Sequence, residues 1–502
     1  MLTTRRSGIL LPISSLPSKY GIGCFSKEAY DFVDFLKEAD QAYWQILPLG
    51  PTSYGDSPYQ SFSTYAGNPY FISLEDLIEE GLLTEKECEA VNFGTNPSYV
   101  DYGKMFEGRY ELLQKAYERA ELEDDEDFAT YCKNYAYWLD DYALYMAIKT
   151  ERFDNHSWTE WAEDIKKRWD YSMDYYRKEL ADEIQFWKFL QYKFHVQWKK
   201  LKEYANTNGV KIIGDIPIYV ALDSADVWAN PWLFKIDGDC NPTVVAGCPP
   251  DGFSATGQLW GNPIYNWEHH KQSHYDWWVK RIAYCFDLYD VLRIDHFRGF
   301  DEYYAIPFGD EDAVNGKWEK GPGMDLFNAI HQRLGEREII AEDLGFMTET
   351  VKALVKESGY PNMRVLEFAF DERDTGNAND YLPHNFDRNC VVYTGTHDNE
   401  TLAGWLKNIT PKEKDKIRDY FMMPKTAGDE EIRKELIRAA VMSVAGFCII
   451  PLQDYLGLDN SARINHPSTL GGNWEWRATK KQLTKELAED IADLCHRYGR
   501  WA

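Results

Sequence analysis

Three acidic residues in this chain sit where they could act together on one bond. Asp295 lies in the run VLRIDHFRGF, with Arg293 two residues before it. Glu342 and Asp343 end EIIAED, and His397 and Asp398 fall in VVYTGTHDNET. Each run is short and apolar and then turns polar, as a buried strand does where it surfaces. Carboxyl groups converging from neighbouring strands suit cleavage of a glycosidic bond with retention, which needs two of them about 5–5.5 Å apart. One is ionised and attacks the anomeric carbon. The other gives its proton to the leaving oxygen and then acts as base. Arg293, on the same strand face as Asp295, favours the ionised form of that carboxyl. Glu342, beside a negative charge and partly desolvated, is pushed the other way, so the two acids part in proton affinity and in role. Asp398 and His397 are placed to hold sugar hydroxyls and help flatten the ring. Taken singly, each signal has a plain structural reading: an ion pair, a helix start, an Asx-capped turn. Their joint placement at strand ends points to chemistry.

Eight such runs occur, at residues 8–14, 44–49, 211–220, 291–297, 338–343, 363–368, 391–398 and 447–454. Helical patterns lie between several of them. Ser26 precedes a helix with Phe32, Val33, Leu36 and Ala39 on one face; Asp325 opens one with Phe327, Ile330 and Leu334 inward; Thr348 opens one with Val351, Leu354 and Val355 inward. Strand and helix in alternation, eight times, imply an α/β fold: a (β/α)8 TIM barrel with large, mainly helical insertions. Residues 1–502 read as one catalytic barrel. Residues 51–210 form a helical insertion between strands two and three, with Trp138, Tyr142, Tyr145, Trp187, Tyr192 and Trp198 as inward candidates. Residues 224–284 are a second insertion over the mouth, with turn residues at high density.

Composition narrows the partners. Against 55 Lys and Arg stand 82 Asp and Glu, a formal net charge of −27, which repels phosphate backbones and anionic lipid and so excludes nucleic-acid and membrane-surface roles. Aromatic residues make up 15% of the chain, an excess that suits gripping sugars, although packing of a large core accounts for most of it. The nine cysteines are scattered with no C-x-x-C pair, so neither a disulfide framework nor a zinc site is indicated. The first residues hold too short an apolar run for a signal segment, and the longest apolar stretch, residues 439–452, is too short to span a membrane. A cytoplasmic protein without cofactor or metal is expected.

The chain resembles the amylomaltases, or 4-α-glucanotransferases, a (β/α)8 family of the α-amylase clan. The resemblance runs nearly end to end, through GILLPISSLPSKYGIG, LPLGPTSYGDSPYQSFSTYAGNPY, GDIPIYV, PPDGFSATGQLWGNPIYNW, LRIDHFRGF, AEDLG, TGTHDNET and LGGNWEWR. It implies that Asp295 is the nucleophile, Glu342 the general acid/base and Asp398 the transition-state stabiliser, with Arg293 and His397 on sugar-binding positions. It further implies substrate-binding roles for Tyr59, Phe253, Gln258 and Trp260, an acceptor-side loop at 248–263, and a secondary glucan site at Tyr54, where a packing role is an equal alternative. Gly252 stands where many relatives carry an aromatic residue, which implies a more mobile loop. The implied activity is transfer of an α-1,4-glucan segment from maltooligosaccharides, amylose or glycogen-derived glucans to the 4-hydroxyl of another glucan or of glucose. Three rivals stay open on the residues alone: an α-glucan hydrolase using the same acids, a metal-dependent barrel hydrolase built on Asp295, His296, Glu342, His397 and Asp398, and a non-catalytic glucan binder. Arg293 beside the would-be ligands speaks against the second, and the strand-end acids against the third.

Overall fold

A computed structural model describes residues 4–53, 55–250, 254–345, 347–372 and 379–501. Eight parallel strands close into a barrel: β1 (Arg6–Leu10), β2 (Tyr43–Gln45), β3 (Lys211–Pro217), β4 (Val291–Asp295), β5 (Ile339–Ala341), β6 (Asn362–Val365), β7 (Cys390–Tyr393) and β8 (Phe447–Pro451). Each pairs with its sequence neighbours. The ring closes where Arg6–Leu10 run in register with Phe447–Pro451. This is the expected (β/α)8 architecture, with every strand inside or overlapping its apolar run and mostly shorter than it. The largest difference is at β7. The run expected to reach Asp398 leaves the ladder after Tyr393, because Thr396 and Asp398 turn to side-chain partners: Thr396 N and Oγ1 donate to Asn399 Oδ1, and Asp398 N donates to Thr396 Oγ1.

Strand alternation sorts the residues. Ile213, Val291, Ile340, Met363, Val391 and Phe447 fill the barrel interior, while Ile212, Leu292, Ile294 and Ile339 pack outward against the helices. The interior column of β4 therefore reads Val291, Arg293, Asp295 from bottom to top, and that of β3 reads Ile213, Asp215, Pro217. Charged groups near the top of an apolar plug are the architecture's provision for a site. Gly214 on β3 lets the Tyr289 ring close on the strand from outside; a Cβ there would fall 2.1 Å from that ring.

The helices follow their amphipathic patterns. Lys27–Glu38 buries Phe32, Val33, Phe35 and Leu36. Glu349–Ser358 starts at Thr348, whose side chain accepts from Val351 N, and stops at left-handed Gly359. Between β2 and β3 the chain is mainly helical. Its two longest helices, Glu126–Arg152 and Ala181–Thr207, pack on each other and bury Trp138, Tyr142, Tyr145, Trp187 and Trp198, with Tyr192 half-buried. Much of the aromatic excess is thus packing. Residues 224–284 are more ordered than their turn-rich composition suggests. Val244–Cys248 and Gln258–Pro263 pair antiparallel and join Glu302–Pro307 and Lys317–Lys320 in a four-stranded sheet. At the barrel's seam Arg500, fully buried, donates to the carbonyls of Arg6, Val441, Ser443 and Ala445. Among the described residues no helix is long and apolar enough to cross a membrane.

Candidate active site

Asp295 and Glu342 emerge side by side. Ile294 is in register with Ala341, so the next residues of β4 and of the β5 end occupy adjacent positions on strands spaced about 4.8 Å apart. Main-chain bonds continue the contact past the strands: Glu342 N donates to Ile294 O at 3.1 Å and Phe297 N to Glu342 O at 3.0 Å. Beneath them Arg293, 3% exposed, donates through Nη2 to Asp295 Oδ1 at 3.0 Å and through Nη1 to Asp215 Oδ2 at 2.6 Å. Asp215 is fully buried; its Oδ2 also accepts from Tyr59 Oη at 2.8 Å, and its Oδ1 meets no donor. Sequence reasoning passed over Asp215, whose only signal was a lone acid inside the apolar run KIIGDIPIYV.

Glu342 is gripped by the main chain. His296 N donates to its Oε2 at 2.6 Å and Leu344 N to its Oε1 at 2.7 Å. His296 has φ 53°, a left-handed conformation uncommon outside glycine, directly after the nucleophile candidate. Asp343 points elsewhere: its Oδ1 accepts from Met363 N at 2.9 Å, so it ties β5 to β6 and takes no part in the mouth.

The charges are shared differently from the expected split. Burial pushes the Asp295 carboxyl well above the usual carboxylate range; Arg293 pulls it back, and Glu342, Asp215 and Asp398 add to the rise. Burial raises Glu342 as well, opposed by Arg293 and by the two N–H donors. The expectation that Arg293 holds Asp295 low is corrected here, because its guanidinium is divided with Asp215 and the pair is desolvated. His397 is held neutral to lower pH than a free histidine, by burial, with the nearby Asp398 opposing.

The seventh strand's loop completes the rim. Asp398, half-exposed, has its Oδ1 3.4 Å from His397 Nε2 and accepting from Asn465 Nδ2 at 2.7 Å, while Arg463 donates to its carbonyl. The His397 ring lies stacked on Tyr59, centroids 5.2 Å apart and planes at 14°, and Trp474 adjoins both. Opposite, the Gln258–Pro263 strand brings Gln258, whose Oε1 accepts from Trp260 Nε1 at 3.0 Å, and Trp260, edge-on to His296 at 4.8 Å. Tyr59, Gln258, Trp260, Asp295, His397 and Asp398 all line one cleft of about 560 Å³, joined there by Asn465 and Trp474, which the sequence reading did not single out. Arg293 and Glu342 are buried and do not line it themselves; each bonds to a residue that does, Arg293 to Asp295 and Glu342 to His296 N. Phe253 and Tyr54 lie outside the described residues, as does Gly252. Among the described residues no three His, Cys, Asp or Glu side chains gather as a metal site would require.

A profile of 4-alpha-glucanotransferases matches residues 11–483. The chain belongs to the 4-alpha-glucanotransferase family. It is 51% identical over 490 residues to the 4-alpha-glucanotransferase of Clostridium butyricum, covering 97% of this chain and 99% of that one. With the 4-alpha-glucanotransferase of Thermus thermophilus it shares 44% identity over 490 residues, 96% of each. Among solved structures it is similar to an amylomaltase from Streptococcus agalactiae in complex with acarbose, with a TM-score of 0.95 at 42% identity, covering 99% of this chain and all of that one. The 4-alpha-glucanotransferase resemblance drawn from sequence strings thus holds along the whole barrel.

Proposed function

We propose that the cleft performs retaining transfer of α-1,4-glucan segments, with Asp295 as nucleophile and Glu342 as acid and base. The observation that carries this reading is the adjacent placement of the two carboxyls on β4 and β5 over a buried guanidinium, in a member of the 4-alpha-glucanotransferase family. Asp295 attacks the anomeric carbon of the donor as Glu342 protonates the departing oxygen, leaving the donor segment on Asp295 as a glucosyl ester. Glu342 then takes the proton of an acceptor 4-hydroxyl, which displaces Asp295. To protonate the leaving oxygen, Glu342 must exchange a bond from His296 or Leu344 for one to the glycosidic oxygen. Asp398 and His397 hold ring hydroxyls on one side, and Gln258 and Trp260 face them across the cleft. Phe253 belongs to the same acceptor-side loop, and Tyr54 to a secondary glucan site.

The enzyme is a transferase because a bound acceptor outruns water. A hydroxyl held in line acts at an effective concentration of ~10⁵ M or more. Glucans and glucose are the proposed acceptors, and neither nucleic acid nor membrane is a partner of so acidic a surface. The reducing cytoplasm suits nine cysteines of which none forms a disulfide. Product analysis from pure maltotriose tests the reading. Glucose together with chains longer than three units is expected; shorter sugars alone, with one new reducing end per bond cut, would make the enzyme a hydrolase.

A further inference from the structure

A second cleft, of about 240 Å³, lies between the helical insertion and the segment 225–280. Two large rings on its wall stand in solvent: Trp232 is 54% exposed and Tyr137 51%. Trp232 has no aromatic partner among the described residues. Yet its backbone is fixed, following Pro231 in a short 3-10 turn whose Leu233 carbonyl accepts from Asn266 N at 2.8 Å and sits 3.1 Å from His270 Nε2. Trp232 and Tyr137 together expose an aromatic surface at the rim of one cleft, the kind of patch that marks a binding site. Trp277 and Trp138 extend the aromatic wall, and the Trp138 indole N–H, on a side chain 5% exposed, meets no acceptor.

The polar lining selects for charge. Asp141 is paired with Arg168 at 2.6 Å, and Asp276 with Lys280 at 2.7 Å and Arg333 at 2.9 Å. Asp226 accepts from Thr64 N at 2.8 Å and forms no ion pair among the described residues; burial pushes its carboxyl up to about 6. A wall of flat rings, with Asp141 and Asp276 held in ion pairs, Asp226 held by a main-chain N–H, and the Asn230 amide beside them, fits an uncharged ligand rich in hydroxyls, whose C–H faces lie on rings while its oxygens exchange hydrogen bonds.

We infer that this cleft, around Trp232, Tyr137, Trp138 and Asp226, is a non-catalytic binding site for a piece of α-glucan chain. The choice of sugar rests on the glucan-transfer reading above; the site itself rests on the cleft. One strand of chain links the two places. Tyr59 and Gln60 line the catalytic cleft and Ser63 and Tyr65 the second, so the Tyr59 and Tyr65 backbones are at most ~22 Å apart. A long glucan held at Trp232 is kept near the catalytic mouth, where its effective concentration is high. A trisaccharide is too short to use both.

The test uses the full-length chain with Asp295→Asn, which leaves substrate uncut, run in native gels containing glycogen. Adding Trp232→Ala is expected to weaken retention roughly three- to tenfold, and Trp232→Phe less. In the chain that retains Asp295, Trp232→Ala should leave maltotriose turnover within about twofold and raise KM for long amylose with kcat unchanged, as expected for lost tethering. Unchanged retention, or equal losses on maltotriose and amylose, would overturn the proposal. If Trp232→Ala does not fold, Tyr137→Ala carries the same readouts. Failure of the unmutated chain to elongate maltotriose would count against the transfer reading, whereas loss of glycogen retention on Trp232→Ala would still uphold the site.

Discussion

As the proposed nucleophile and acid/base, Asp295 and Glu342 share one buried environment, which is expected to set the pH range of turnover. In the proposed mechanism turnover needs Asp295 ionised, so activity is expected to be lost as pH falls through the lower apparent pKa. The same mechanism needs Glu342 protonated, so activity is expected to be lost again as pH rises through the upper one. Burial raises both groups, and the bell in kcat/KM is therefore expected to lie above the ~3.9 to 4.3 range of unperturbed carboxyls. An optimum inside that range would contradict the buried geometry. Asp215 is a positioning residue: it touches Arg293 and Tyr59 and reaches the reaction through them. Asp215→Asn removes a negative charge that raises Asp295, so the acid limb of the pH profile should move to lower pH. The loss of a buried ion-pair partner should also cost about 3–5 kcal/mol of stability in denaturant unfolding. A variant that is destabilised but keeps the same acid limb would assign Asp215 a packing role only.

At the scale of elements, the barrel depends on close approach of strands and their surroundings. Gly214→Ala would drive a methyl group into the Tyr289 ring beside Asp215, and overpacking of this kind costs about 1–3 kcal/mol. A lower melting temperature is expected, together with weakened turnover because the strand carrying Asp215 must shift; a melting temperature equal to that of the unsubstituted chain would rule this out. The eight barrel strands were legible in the sequence because a parallel strand buried on both faces is a continuous apolar run ending in polar residues. Arg293, Asp295, Glu342, His397 and Asp398 were legible for the same reason, as the points where such runs turn polar. The four-stranded sheet over the mouth was not. Gln258–Pro263 contains Gly261, Asn262 and Pro263, which read as turn, and Lys317–Lys320 is polar and largely exposed. Nor could residue types disclose that Arg293 is shared with Asp215, or that two main-chain N–H groups hold Glu342. Those facts belong to the third dimension.

The whole molecule carries a net charge of −27, and its surface charges repel one another when salt is scarce. Raising ionic strength at pH 8 from about 0.01 M to about 0.15 M shortens the screening length from about 30 Å to about 8 Å. The melting temperature should therefore rise; a fall would mean that the surface ion pairs outweigh the repulsion. Glucan binding, resting on rings and hydroxyls, should change little over the same range. The seam of the barrel has a different consequence. Arg500 holds the main chain at residues 6 and 441–445, so residues 6 and 500 meet at the opposite pole from the substrate entrance. The ring of strands has no topological starting point, and the order in which a ribosome writes it is a convention. Joining residue 500 to residue 6 through a short linker and reopening the chain at the solvent-facing turn near residues 121–124 would yield a rearranged gene for an unaltered catalyst.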